Sequence, residues 1–302
     1  MNVVAIVNPA AGRGGAAKSW ETVRAHLSQP VRTLETNRRG HATELTASAI
    51  REGAKAIVAV GGDGTINEVV NGFFDREKLL SESVVLGIFP YGTGSDLQRT
   101  LQLPAEPGAA ARLIEDRRSR PIDLLKVQYT KPDGARTCRY SINVSSFGMG
   151  GVVASHVSRS GKVFGGKISF LAATLRAAMT FKGSTVRLSI DNAPQTRLVV
   201  TNIAAGNGRY HGGGMLACPR AEIDDGFFDV TLVSFMKLPE LVRSLPLLYN
   251  GAIYSHPKVG FYRARSLRAE SDLPTLLEID GESLGSLPIE IHIAPRAIRV
   301  LA

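Results

Sequence analysis

The stretch AIVAVGGDGTINEVVNG, Ala56 to Gly72, decides the architecture of the first half of the chain. Ala56–Val60 is an apolar run of strand length, and Thr65 onward reads as a helix. Between them the chain turns on Gly61, Gly62 and Gly64, with Asp63 enclosed. A strand apolar throughout suits a parallel sheet covered on both faces. Glycines let a backbone approach a ligand closely, and the first turn of a helix offers unpaired N–H groups, which suits phosphate. Asp63 needs its own reason. A carboxylate among phosphate-holding amides would be repelled by the ligand unless a divalent cation lies between them.

The same pattern extends outward. Val3–Val7 (VVAIV) leads into NPAAGRGG, then a helical stretch with Trp20, Val23 and Leu27 on one face. A strand near Val31–Thr36 precedes the helix GHATELTASAIREG, and Val84–Phe89 (VVLGIF) runs into PYGTGSD. Three glycine turns after three strands would line one rim of an open α/β sheet, where ligands bind. Asp96 offers a second carboxylate beside Asp63. No GxxxxGK[ST] loop is present. Gly12, Gly14 and Ala17, with Glu35 further on, match a dinucleotide-binding spacing. However, Asn8–Ala11 separate the strand from the first of these glycines, and the pattern is common, which argues against a dehydrogenase. The chemistry expected is binding of a nucleoside triphosphate with magnesium, and phosphoryl transfer.

After Pro121 the texture changes to short, β-branched, often alternating runs, with helical stretches only near Gly166–Met179 and Leu238–Tyr249. The expectation is an α/β nucleotide-binding domain over residues 1–120 and an antiparallel β domain over 121–295. The 302 residues, 44% hydrophobic and 21% charged, fit a soluble globular protein of one large or two ordinary domains. No apolar run reaches the roughly 18 residues of a membrane span, and no signal peptide is visible, so a cytoplasmic protein is expected. Cys138 and Cys218 have no metal-ligand spacing. The net charge of +9 suits anionic partners such as nucleotide phosphates, nucleic acid or a negative membrane face. A solvated basic surface explains it equally well.

GGDGTINEVVNG followed by FPYGTGSDLQRTL resembles the catalytic domain of the diacylglycerol kinase and sphingosine kinase superfamily, and most closely its soluble bacterial lipid kinases. VNPAAG, TNRRGHA, PIDLLKV, INVSSFGMGG, AEIDDGFFDVTLV and EIDGE follow in the family's order, so the resemblance covers essentially the whole chain. It implies an NAD-kinase-like α/β domain and a C-terminal antiparallel β-sandwich, with the last strand, 296–302, returning to the first domain. It implies ATP contacts from Asn8, Pro9, Ala10, Ala11, Gly12, Thr36, Gly62, Asp63, Gly64, Thr65, Ile66, Asn67, Glu68 and Thr93. Two positions depart from the family pattern: Ser95 stands where an asparagine is usual, and Arg13 where a lysine is frequent.

In LLEIDGESLG, Asp280 and Glu282 flank Gly281. Asp-Gly is a strong hairpin-turn signal. Residues two apart on a strand instead share a face, so both carboxylates could enter one cleft, one as base and the other as its orienter or a metal partner. The resemblance makes Glu282 the proton acceptor and Asp280 the second candidate. In AEIDDGFFDV it implies a structural magnesium site at Glu222, Asp225 and the Phe227 carbonyl, where residue type alone would suggest a solvated acidic turn. Asp123 in PIDLLKV also matches a functional family aspartate, or is simply a buried carboxylate.

The expected function is an ATP- and magnesium-dependent kinase of a hydroxyl on diacylglycerol or a related lipid, met transiently at the inner face of the membrane. No nucleic-acid partner is expected, and a homodimer is left open. A basic amphipathic stretch over Gly161–Lys182, and LVRSLPLLYNGAIY, are candidate lipid contacts or ordinary surface helices. An NAD kinase shares GGDGT but not DGE or the ion loop. A non-catalytic nucleotide sensor would not need Asp63, Asp280 and Glu282 intact.

Overall fold

The computed structural model describes residues 2–91, 95–160 and 166–302, the side chains of 158–171 excepted. The chain divides into two compact units, Met1–Ile122 with Arg296–Ala302, and Asp123–Pro295.

The first unit is α/β. Its sheet is parallel, in the order Arg32–Glu35, Val3–Val7, Ala56–Gly61, Val85–Pro90, and then the chain's C-terminus, where Arg299 and Val300 pair with Val85 and Leu86. Val3–Val7 and Ala56–Gly61 are buried at every position, as an unalternating apolar run requires. Trp20 and Val23 from the Ala16–Arg24 helix, and Ala110, Ala111 and Ile114 from Pro107–Asp116, pack in one cluster with these strands. Trp20 also donates its indole N–H to Thr33 Oγ1 at 3.1 Å. Glu106 caps the Pro107–Asp116 helix by accepting from the Gly108 and Ala109 amides.

The second unit is antiparallel and β-rich. One run of strands passes from Val259–Ala264 through Phe228–Ser234, Thr196–Gly206 and Ser184–Ile190 to Ser266–Glu270 and the long strand Glu282–Leu301. Thr196–Gly206 splits its pairing. Its first half faces Ser184–Leu188, and its second half lies between Phe228–Ser234 and Val144–Gly148. Leu276–Ile279 joins Val144–Gly148 to the start of the last strand. The core gathers inward residues of all these strands, including Phe147, Val200, Ile203, Phe228, Leu277 and Ile289. Two helices, Gly166–Thr180 and Leu238–Asn250, pack at one side through Ala173, Ala177, Met236 and Leu241.

Candidate functional site

In the first unit, strand register brings the loops to one rim. Val7 pairs with both Glu35 and Val60, and Gly61 with Pro90, so Asn8, Thr36, Gly62 and Tyr91 each begin the loop beyond a paired strand end. The Asn8 amide donates to the Val60 carbonyl, and the Thr36 amide to the Val7 carbonyl. Asn8 Nδ2 donates to Thr65 Oγ1 at 2.9 Å, tying the NPAAG loop to GGDGT, while its Oδ1 accepts from the Ala10 amide. Pro9, Ala11 and Gly12 are half-buried and Ala10 is exposed. Gly12 has φ +58°, and a Cβ there would lie 2.4 Å from the ring of Tyr91, so only glycine fits beneath that ring.

Gly62 is extended, and the helix Asp63–Asn71 begins at Asp63. Asp63 thus stands half-buried in the first turn, where the helix dipole favours negative charge, and Gly64 lies beside it. Thr65, Ile66 and Asn67 are buried, so Ile66 serves the core and reaches a ligand through backbone alone. Glu68 is already occupied. Its Oε1 accepts from the Gly40 amide at 2.9 Å and its Oε2 from the Ala42 amide at 3.2 Å, capping the helix His41–Arg51. Asp96 is buried and ion-paired with Arg99 at 3.0 Å. Ser95 has φ +52°, a left-handed position that asparagine tolerates better, which gives a physical reason for the family's usual residue there. Thr93 lies outside the described residues.

In the second unit the DGE reading changes. Ile279 pairs with Glu282, leaving Asp280 (φ +47°) and Gly281 (φ +83°) as the centre of a two-residue turn. Asp280 and Glu282 therefore do not alternate along one strand, and the shared-face expectation gives way to the hairpin. Asp280 is buried, and four donors converge on it: Ser141 Oγ at 2.6 Å, and the amides of Ile142 at 3.0 Å, Asn143 at 3.0 Å and Val144 at 3.1 Å. Consecutive amides of this kind form an anion nest, and here a side chain of the protein fills it. Glu282 opens the next strand with its side chain 22% exposed, and its Oε2 lies 3.2 Å from Arg139.

Behind the turn sits Glu278, fully buried. Its Oε2 accepts from the Gly281 amide at 2.7 Å, and its Oε1 lies 3.6 Å from His211 Nε2. Burial pushes its carboxyl above the usual carboxylate range, with His211 pulling the other way.

The acidic loop is connected to this turn. Asp123, fully buried, accepts from the Gly226 amide at 2.6 Å, and its own amide donates to the Ile223 carbonyl. Asn207, also fully buried, donates from Nδ2 to the carbonyls of Asp123 at 2.8 Å and Ile142 at 3.1 Å, and its amide donates to the Asn143 carbonyl. A continuous network thus runs from the 222–227 loop through Asp123 and Asn207 to the amides that hold Asp280. Sequence reading found neither Asn207 nor Asn143, nor Glu278. The only local signal was an asparagine between two glycines at 206–208, which reads as turn punctuation.

Asp225 accepts from the Phe227 amide at 2.9 Å and pairs with Arg263, while Glu222 is exposed. No cluster of three His, Cys, Asp or Glu side chains with ligand geometry occurs among the described residues. One observation nevertheless fits a cation. Asp229 Oδ2 is buried without a hydrogen-bond donor. Burial, then the negative Asp225 nearby, push the Asp229 carboxyl up to about 7. A divalent ion on carbonyl oxygens and Asp225 would relieve that excess of acidic oxygen.

Residues 2–127 match the model of a diacylglycerol kinase catalytic domain, and residues 143–302 that of a YegS C-terminal NAD kinase beta sandwich-like domain. A diacylglycerol kinase of Mycobacterium tuberculosis is 29% identical over 99% of this chain and 94% of its own length. A protein of Stenotrophomonas maltophilia described as "Probable lipid kinase YegS-like" is 32% identical over 86% of this chain and 83% of its own. The crystal structure of a diacylglycerol kinase from Bacillus anthracis superposes with a TM-score of 0.71 at 22% identity, covering 99% of this chain and 96% of that one.

Proposed function

We propose, for a chain that belongs to the family of diacylglycerol kinases and YegS-like lipid kinases, that it transfers the γ-phosphoryl group of ATP to a hydroxyl of diacylglycerol or a related lipid. The nucleotide is held by the rim of the first unit: the Asn8–Gly12 loop, Thr36, the turn Gly62–Thr65 and the following backbone at Ile66 and Asn67, with Thr93 assigned by resemblance alone. Asn8 and Thr65 are joined by a hydrogen bond, which ties these two loops together at the rim. Glu68 contributes by fixing the neighbouring helix. Magnesium at the phosphates would neutralise charge developing during transfer, and Asp63 is the residue we assign to hold it.

Glu282 accepts the proton of the attacking hydroxyl. The observation that carries this assignment is the contrast inside the turn: the four donors on Asp280 commit it to structure, while Glu282 is partly open and oriented by Arg139. Asp280 therefore acts on catalysis by positioning Glu282. Glu222, Asp225 and the Phe227 carbonyl would hold a second, structural magnesium, and Asp123 would convey the loop's geometry to the turn. Among the described residues no helix is long and apolar enough to cross a membrane, and in this reading the lipid is met transiently at the inner face of the membrane.

The deciding experiment incubates the purified chain with labelled ATP and magnesium against diacylglycerol, monoacylglycerol, sphingosine and NAD, with chromatographic detection. Label on a lipid is the expected result. Label on NAD alone would replace this reading with an NAD kinase, and label on none of them would remove it.

A further inference from the structure

Among the described residues eight large apolar side chains are exposed, and five of them sit on two touching helices of the second unit: Leu175, Met179, Leu238, Val242 and Tyr249. Scattered exposed apolar residues mean little, but a concentration of them marks a contact surface. On Leu238–Asn250 the exposed positions Leu238, Val242, Pro246 and Tyr249 recur at helical spacing, forming an outward stripe opposite the buried Leu241 and Ser244. On the neighbouring helix Ala172, Leu175 and Met179, the last 67% exposed, form a second outward stripe behind the buried Ala173 and Ala177. Each helix is thus apolar on its core face and again on its solvent face.

Apart from Glu240, which is ion-paired, the charges described around the stripes are of one sign. Arg176, Lys182, Lys237 and Arg243 are exposed beside them, and none forms an ion pair with another described residue. The segment Gly166–Thr180 contains no acidic residue, and the single one of Leu238–Asn250, Glu240, is already neutralised by Lys258 at 2.6 Å. An apolar stripe whose described unpaired border charges are cationic complements an anionic bilayer, into which the stripe enters while the basic groups meet the headgroups.

We propose that the paired outer faces of Gly166–Thr180 and Leu238–Asn250 are the surface by which this chain docks on an anionic lipid membrane. This rests on the lipid-kinase reading and says where such an enzyme meets its substrate's bilayer. Lys162, Phe164, Lys167, Phe170 and Leu171, which the sequence also offered for this role, lie outside the residues whose side chains are described. They carry no part of the argument.

The test is co-sedimentation of the full chain with phosphatidylcholine vesicles, with and without phosphatidylglycerol, no diacylglycerol being present. The wild-type chain is expected to sediment with the anionic vesicles and to be released by salt. Val242→Glu with Tyr249→Glu, and separately Lys237→Glu with Arg243→Glu, are each expected to weaken partitioning by about tenfold or more. All four positions are exposed, so melting temperatures are expected to be unchanged, as is phosphorylation of a water-dispersed short-chain diacylglycerol. Absence of wild-type binding to anionic vesicles overturns the proposal, as do variants that sediment like wild type. Variants that change a dimer into a monomer by sedimentation velocity while still binding vesicles also overturn it, by giving the surface to a second copy. Failure of wild type on the short-chain lipid would instead strike the kinase reading and leave the vesicle result intact.

Discussion

Asp63 and Asp280 stand in the same dipeptide, Asp-Gly, and the two units use it differently. Asp63 opens a helix, and what defines its place is its own neighbourhood, a buried strand before it and a helix after it. Asp280 sits in a hairpin turn and is held by Ser141–Val144, whose separation in sequence is 136–139 residues. The first carboxylate lies half-buried at a helix start, where the sequence leaves it for a ligand's cation in the proposed reaction. The second is consumed by the protein. A motif therefore assigns a place in the backbone, and only the long-range donors assign the chemistry.

The comparison is broken most easily by exchanging the expected effects. Asp63→Ala should reduce turnover by about 10³-fold, since a charge-bridging group at the phosphates is lost, while the melting temperature stays near wild type. A folded Asp63→Ala protein with ordinary turnover would end its role. Asp280→Ala should do the reverse first: four buried donors lose their acceptor, a cost on the order of 3–5 kcal/mol, seen as a melting temperature lower by roughly 10 °C. An unchanged melt would mean that the nest does not need its anion.

The difference also explains what could be read in advance. The parallel half was legible because Val3–Val7 and Ala56–Val60 are apolar without alternation, and glycine turns follow them. The second half was legible as antiparallel from its short alternating runs. Its site was not. Asp280 and Glu282 were visible as a motif, but their separation into anchor and base depends on Ser141–Val144 and Arg139, distant in sequence. Likewise Glu68, read as a ligand residue, caps a helix whose amides lie 26 and 28 residues away. Glu278 and Asn207 carry no motif at all, since burial gives each its role.

Two smaller effects sharpen the account of the second unit. If the 222–227 loop holds magnesium, chelation or Asp225→Ala should lower the melting temperature by a few degrees, because an ion bound only by the native state adds RT ln(1 + [L]/Kd) to stability. Magnesium titration without nucleotide checks this, together with metal analysis of the purified chain. A metal-free protein indifferent to magnesium would dismiss the site. The smallest effect concerns Glu278. Its folded pKa is raised, so the associated stability is present below the ordinary glutamate range and is lost as pH rises through the folded value. Glu278→Gln should match wild type in acid and exceed it by a degree or two at pH 8. A melting-temperature difference that does not vary with pH would show that Glu278 stays ionised in the fold.

Most directly, the account stands on Glu282 as the proton acceptor, positioned by an Asp280 that takes no proton itself. The measurement is kcat of Glu282→Gln on diacylglycerol, with ATP affinity and melting temperature determined on the same preparation. Glutamine keeps the shape and cannot take the proton, so kcat should fall by about 10²–10⁴-fold while ATP affinity and the melt stay at wild-type values. Wild-type kcat in that variant, or a loss of activity accompanied by an equal loss of folding, would contradict it.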